Sequence, residues 1–281
     1  MTAPAVSVVV PTRDRPDRLA RCLEALGRQS GLGSLEVVVV DDGSADAAAV
    51  RAVVGAHDHA RLLRQVGAGP AAARNRGARE AGAPVVCFTD DDCVPLPDWA
   101  ARLGRAVADG VDAAGGVTQS GDPADPYAEA TETIIDYLQR RARRPDGFFV
   151  PSSNLACRRD VLLELPFDES FPIASGEDRD WCARLLARGG RLVIEPGAVV
   201  RHFPPTGPGS FWRQHVRYGR GAYRLARTRV PPVALQPSGF YVGLVRAGFA
   251  RGVRCGLLVG LAQAASAVGF ATEAWAARGR Q

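Results

Sequence analysis

The feature that most restricts how this chain can fold is a set of short β-branched runs, each breaking into a polar motif and then a helical pattern. VSVVV at 6–10, VVVV at 37–40 and VVCF at 85–88 are too uniformly apolar for strands with one wet face, so they read as strands buried on both sides. Between them, RPDRLARCLEALGRQ puts Leu19, Cys22, Leu23 and Leu26 on one helical face, with Asp14 as N-cap and Pro16 in the first turn. Ala47 to Val54 continues as a short helix, and ARLLRQV is a third strand candidate. PAAARNRGAREAG is a helix opened by Pro70, PVVCFTD a fourth strand, and Pro97 to Asp109 a further helix with Trp99, Leu103 and Val107 on one side. Strands alternating with helices at this spacing build βαβ units and a parallel sheet. Ligands of such sheets bind beyond the carboxyl ends of the strands, where the motifs PTRDR, DDGS and TDDD fall.

The last of these is the most demanding. Asp90, Asp91 and Asp92 follow a buried run directly, and two like charges about 4 Å apart repel by about 4 kcal/mol at an effective dielectric near 20. A solvated turn capping the next helix is the ordinary reading of one such aspartate. For three in a row, a hard divalent cation such as Mg²⁺ or Mn²⁺, carrying a diphosphate, is the better one. In an extended segment Asp90 and Asp92 point the same way and share that ligand, while Asp91 faces elsewhere.

The other motifs carry weaker signals. In VVVVDDGS, Asp42 is placed to accept hydrogen bonds from a base or ribose, against the plainer reading that Ser44 or Asp46 caps the next helix. Gly67, Gly69 and Ala72 match a G-x-G-x-x-A dinucleotide fingerprint, but at the third strand instead of the first. An NAD- or FAD-dependent oxidoreductase built on it would leave the three aspartates unexplained. Arg74 and Asn75 on the following helix can reach phosphate or sugar, or form a solvated helix face. In GEDRDW, Glu177 and Asp178 complement a helix start, or give one oriented base and one structural partner beside Trp181. His202, closing AVVRHF, is a candidate metal ligand or proton shuttle.

The second half reads as a helix over Asp122 to Arg144 ending in RRARR, then GFFVPSSNLACRRDVL as a strand entering a helix. GEDRDWCARLLARGG follows the flexible FPIAS and forms a helix, and RLVIEPGAVVRHF forms two short strands around a Pro-Gly turn. Beyond Gly239 the chain is rich in glycine and alanine. Gly256 to Ala277 is apolar but interrupted by Gln263 and Glu273, a poor transmembrane candidate. Flanked by Arg246, Arg251, Arg254, Arg278 and Arg280, it is a helix lying on an anionic membrane or one packed on the domain.

Composition narrows the partners. At 46% hydrophobic and 23% charged residues over 281 positions the chain is globular, and every one of its 35 basic residues is arginine. The net charge of +5 suits anionic ligands or surfaces, and without a long basic run or zinc-finger spacing nucleic acid is not expected. Six cysteines with no CxxC pair read as reduced, partly buried thiols of a cytoplasmic protein. The N-terminus reads as a first strand and not as a signal peptide.

Taken in order, VSVVVPTRDR, VVVVDDGS, ARNRGAREAG, VVCFTDDDCVP, SSNLACRRDVL, GEDRDWCARLLARG and AVVRHF resemble the motifs of the inverting family 2 glycosyltransferases of GT-A fold. The resemblance implies a Rossmann-like mixed sheet flanked by helices over 1–205, with a nucleotide-sugar half at 1–115, an acceptor half at 116–205, and a helical C-terminal region at 206–281. It implies that Pro11, Thr12, Arg13 and Asp42 line the nucleotide pocket, joined by Arg74, Asn75, Asp90 and Asp91. Asp90 and Asp92 form its D-x-D element, with Asp92 the direct ligand of Mn²⁺ or Mg²⁺ and His202 an additional one. Asp178 is then the general base, Glu177 orients it or the acceptor, and Asn154 and Trp181 lie near the acceptor. The processive element Q-x-x-R-W is absent, RQHVRYG being a distant echo, which argues for transfer of a single hexosyl unit. The partners implied are a nucleotide-diphosphate sugar and a saccharide or lipid-linked acceptor at the cytoplasmic face of the membrane, as in cell-envelope or polysaccharide synthesis. A non-catalytic membrane-surface protein retaining the fold is the remaining alternative.

Overall fold

The computed structural model describes residues 5–141, 149–171, 175–204, 207–227 and 236–278. The chain divides into two compact units. The first comprises Met1–Gln119, Val150–Pro172 and Arg184–His202; the second comprises Ser120–Phe149, Ile173–Ala183 and Phe203–Gln281. The units are interleaved along the chain, segments 120–149 and 173–183 belonging with the region from Phe203 onward.

The first unit opens as the β-branched runs dictate. It runs β1 (Val6–Thr12), α1 (Pro16–Gly27), β2 (Leu35–Asp41), α2 (Ala47–Gly55), β3 (Ala60–Arg64), α3 (Pro70–Glu80) and β4 (Val85–Phe88). It continues through β5 (Cys93–Pro95), α4 (Trp99–Ala108), β6 (Ala113–Ser120), β7 (Leu155–Arg158), α6 (Arg159–Glu164) and β8 (Leu192–His202). Val8, Val9 and Val10 of β1 and Val37 to Val40 of β2 are fully enclosed, because helices cover both faces of a parallel sheet. Complete burial of one such side chain contributes about 1.5–3 kcal/mol. Leu19, Cys22, Leu23 and Leu26 are the buried face of α1. Asp14 does not cap that helix: Arg15 is the N-cap, while Asp14 turns back at φ 57° and accepts from the Ala45 amide at 2.7 Å.

The sheet has eight strands in the order β3-β2-β1-β4-β7-β6-β8-β5. The parallel sheet expected from the βαβ pattern is present in β3-β2-β1-β4. Beyond it the sheet becomes mixed, since β4 pairs antiparallel with β7, β7 with β6, and β8 with β5. β2 and β3 lie on one side of β1 and β4 on the other, so the winding reverses between β1 and β4. Gly77 of α3 brings that helix onto β1, where an added Cβ would land inside the Val9 side chain.

Two local expectations fail. RLVIEPGAVVRHF forms one strand and not two. The pairing with β5 covers only Val200–His202, so the missing N–H of Pro196 breaks no ladder bond on that side, which is where a strand tolerates proline. The three aspartates are not extended: the Cys93 amide donates to the Asp90 carbonyl at 3.0 Å and closes a tight turn.

The second unit is helical. It contains α5 (Pro126–Arg141), the start of α7 (Glu177–Ala187), α8 (Pro208–Leu225), α9 (Ser238–Arg251) and α10 (Val253–Arg278). Its core joins Ala130 and Ile134 of α5, Phe211 of α8, Phe240 and Leu244 of α9, and Val259 of α10. Gly219 of α8 and Gly269 of α10 let these helices touch at backbone level, each facing a carbonyl of the other, Ser266 and Val216. Glu273 of α10 is paired with Arg220 at 2.8 Å and Arg224 at 2.8 Å. The RRARR run at 140–144 and the FPIAS segment at 171–175 extend outside the described residues, as does Arg280. All six cysteines are reduced and buried.

Candidate functional site

Reversal of the winding between β1 and β4 opens a crevice beyond their carboxyl ends, and the chain puts Thr12 and the three aspartates there. Each aspartate has its own cationic partner. Asp90 accepts from Arg74 of α3 at 2.7 Å. Asp91 accepts from the Thr12 hydroxyl at 2.8 Å and from Arg15 at 3.1 Å. Asp92 faces Arg18 at 3.3 Å, Arg15 at 3.5 Å and His202 Nε2 at 3.4 Å. The like-charge repulsion expected from the sequence is thus offset within the chain by arginines that the turn geometry reaches.

The protonation states diverge accordingly. Burial, reinforced by the Asp92 charge, pushes the Asp91 carboxyl up to about 7, against Arg15 and the Thr12 hydrogen bond. Burial opposes the charge of Asp92 as well, but His202, Arg15 and Arg18 outweigh it and hold this carboxyl below its ordinary range. His202 mirrors it: burial disfavours the imidazolium, and Asp92 with Asp90 more than restores it, so the ring is held above the usual histidine value.

The antiparallel pairing of β5 with β8 sets Cys93 opposite His202. Ligand atoms of Asp92, Cys93 and His202 therefore gather within 4.8 Å of one another. Nothing in the cysteine spacing separates Cys93 from the other thiols; its place directly after the aspartates is the one local signal. Asp90 falls outside this cluster, its carboxylate turned to Arg74, so it does not share the ligand position with Asp92 as an extended segment would require. Carboxylate and imidazole are both donors that suit a divalent cation. The Cys93 thiol is driven well up by burial and by Asp92 and adds a soft donor only if deprotonated.

The loops after β1, β2 and β3 lock together beside this cluster. Asp42 accepts from Gln65 Nε2 at 2.7 Å and from the amides of Ala68 at 2.8 Å and Gly69 at 2.9 Å. Gly43 takes φ 81°, and a Cβ there would stand 2.8 Å from the Gly67 amide nitrogen. Gly67 in turn leaves room for Arg13, whose Nη1 would be 2.8 Å from a Cβ at that position. Asp41, which sequence reasoning passed over, is fully buried; its Oδ1 accepts from the Ser44 amide at 2.8 Å and its Oδ2 makes no hydrogen bond. Asp46, not Ser44, caps α2. Pro11 lies half-buried inside β1, which runs on to Thr12.

This arrangement disposes of the dinucleotide fingerprint. β3 is an edge strand, and the loop amides that would receive a pyrophosphate already donate to Asp42. Three other residues expected at the site already have partners or enclosure within the chain. Asn75 spends its amide on the Phe167 carbonyl, the Phe167 amide and Glu169, each at 2.9 Å, so it anchors the 167–169 segment. Asn154 is fully buried; it accepts from Trp99 Nε1 at 2.8 Å and donates to the Val117 carbonyl at 3.1 Å, bonds that tie it into the framework. Trp181 is likewise a fully enclosed core side chain.

In the second unit, Gly176 at φ 95° admits the chain to α7, whose first turn carries Glu177, Asp178 and Asp180. Glu177 is buried, and half-buried Asp178 accepts from the Arg179 amide at 2.8 Å. Arg179 stacks over Phe149 with its guanidinium carbon 5.2 Å from the ring centre.

Comparison with known proteins bears on this geometry. The family model described as Glycosyl transferase family 2 matches residues 7–165. The pre-mycofactocin glycosyltransferase of Mycobacterium tuberculosis (strain ATCC 25618 / H37Rv) is 34% identical over 230 residues, covering 79% of this chain and 47% of that protein. Glycosyltransferase AglE of Haloferax volcanii is 29% identical, covering 80% and 75%. The chain thus spans about half the length of the first of these. Among solved structures, the mannosyltransferase PcManGT from Pyrobaculum calidifontis in complex with GDP-Man and Mn²⁺ superposes with a TM-score of 0.60 at 22% identity, over 99% of this chain and 81% of that one. Glucosyl-3-phosphoglycerate synthase of M. tuberculosis, in complex with Mn²⁺, UDP-glucose and phosphoglyceric acid, gives 0.61 at 20% identity, over 84% and 82%.

Proposed function

The chain belongs to glycosyl transferase family 2, with a mixed sheet flanked by helices as in its GT-A structural neighbours, and on that premise we propose that it transfers one sugar from a nucleotide-diphosphate donor to an acceptor hydroxyl with inversion. The observation that carries the reading is the cluster of Asp92, Cys93 and His202 at the switch point of the sheet, with Thr12 and Arg15 on its flank.

In this reading Asp92 and His202 would hold a divalent cation, Mn²⁺ or Mg²⁺, whose charge would offset that of the diphosphate leaving group. Arg13, exposed above Gly67, contacts the nucleotide, and Asp42 keeps the loop at 65–69 in the shape that receives the base. Arg74 holds Asp90, and Thr12 holds Asp91, at the edge of the pocket. Asp178 takes the proton from the acceptor hydroxyl as its oxygen attacks the anomeric carbon. The bond from that carbon to the diphosphate oxygen breaks on the opposite face, and Glu177 positions the first turn of α7. A single displacement needs one carboxylate base. The acceptor is a saccharide end or a lipid-linked saccharide reached from the cytoplasmic side.

Calorimetric titration of UDP, GDP and dTDP into the protein, with and without Mn²⁺, tests the donor half of this reading. Binding of one nucleotide that requires Mn²⁺ and disappears in Asp92→Ala is the expected result. Absence of binding by all three with Mn²⁺ present would overturn it.

A further inference from the structure

α10 divides its surface sharply. One side is packed away: Cys255, Val259, Ala262, Ala265, Gly269 and Glu273 are buried. The other is open and apolar. Val253, Leu257, Leu261, Val268 and Trp275 recur at helical spacing and are exposed by 69, 64, 40, 45 and 80%. Every exposed residue from Leu257 to Ala271 is apolar. Phe249 of α9 is exposed as well and lies against Gly256, which extends the face beside Leu257.

The exposed charges that α9 and α10 themselves carry beside this face have one sign. Arg246, Arg251 and Arg254 are exposed near its start and Arg278 at its end, with Arg251 3.9 Å from Asp136 of α5. The single acid of α9 and α10, Glu273, points away from the face into its pairs with Arg220 and Arg224. At 1.5 Å per residue the 26 residues of α10 extend roughly 40 Å, with a cation near each end.

We propose that the exposed face of α9 and α10 docks on an anionic lipid bilayer, lying in the interface with its apolar stripe among the upper acyl chains and its arginines on the phosphates. Lipid headgroups supply the negative charge that the face itself lacks. A second copy of the chain would bring its own arginines against these, and the carboxylate at this edge, Asp136, is already paired with Arg251. α10 is long and apolar enough to cross a membrane by length and composition alone. Crossing would take Glu273 and its arginines into hydrocarbon and strip the helix from α8, and both costs are large. Trp275, one turn before Arg278, has the amphipathic ring that settles at headgroup level.

Flotation of the full chain with vesicles of phosphatidylcholine alone, or of phosphatidylcholine mixed with phosphatidylglycerol, tests this directly. Binding to the mixed vesicles only, weakened by salt, is expected, with a blue shift of tryptophan emission that is reduced in Trp275→Phe. Arg254→Gln with Arg278→Gln should lower partitioning by roughly tenfold or more, at about 1 kcal/mol per interfacial arginine. Leu257→Ser with Leu261→Ser, both surface changes, should lower it comparably while leaving far-ultraviolet circular dichroism intact. Failure to float, or flotation indifferent to both pairs of substitutions, would overturn the proposal. So would a concentration-dependent dimer that the leucine pair abolishes in the absence of vesicle binding.

Discussion

Asp178 and Asp42 carry the same functional group in different local settings. Asp42 is engaged by three donors, and its acceptor capacity goes largely into fixing a loop. Asp178 is half-buried, and its Oδ1 accepts from the Arg179 amide. Replacing Asp178 by Asn keeps the shape and removes the basic oxygen. Transfer is therefore expected to fall by roughly 10²- to 10⁴-fold while Mn²⁺-dependent nucleotide binding is retained, as read from steady-state rates beside calorimetry. Transfer at the wild-type rate would remove Asp178 as the base. At this scale the sequence named the motif positions well and their partners poorly. Asn75, Asn154 and Trp181 read as ligand contacts because polar or aromatic residues sit near strand ends and helix starts. Whether the amide valences are already spent on Phe167, Glu169, Trp99 and Val117 depends on atoms that lie 37 to 94 positions away.

At the level of elements, the glycines at the α8–α10 crossing reverse the usual propensity argument. Alanine is favoured over glycine within a helix by about 1 kcal/mol, so Gly219→Ala and Gly269→Ala would stabilise isolated helices. Here a methyl group meets a backbone carbonyl of the partner helix, which cannot swing aside as a side chain can. Overpacking of this kind costs about 1–3 kcal/mol. Each substitution is therefore expected to lower the urea midpoint, and the pair to lower it by less than the sum, because one separation of the helices relieves both. A rise in the midpoint would show that the crossing is looser. The boundaries of α1, α2, α3 and α4 were legible because hydrophobic period and proline placement are local. The single strand β8 was not, since a Pro-Gly pair signals a turn unless the neighbouring strand leaves it free, and pairing with β5 spans more than a hundred positions. The antiparallel half of the sheet is hidden from local pattern for the same reason.

For the whole molecule, acid stability has an identifiable component in the helical unit. His215 is 2% exposed, stacked edge-on against Phe211 and Tyr218, and burial together with Arg217 drives its imidazole down to about 4. The unfolded chain, with a histidine near 6.5, binds this proton first, so stability falls as pH drops from about 6.5 towards 4, by at most about 3 kcal/mol. Asp91, held up near 7, acts in the opposite direction over the same window. The informative quantity is thus the difference between wild type and His215→Phe in chemical denaturation at several pH values. That difference should shrink on acidification, and a constant difference would exclude His215 as the source. The six thiols have a separate practical meaning. All are buried, and burial raises Cys22, Cys87 and Cys93 further out of the thiolate range, while the chain offers no lysine to amine reagents. One cysteine introduced on the outer surface of α10, at Ala264 for example, would stand as the reactive handle of an otherwise silent protein. A nitroxide or fluorophore attached there would read immersion depth, orientation and tumbling from a single site without removal of any native residue.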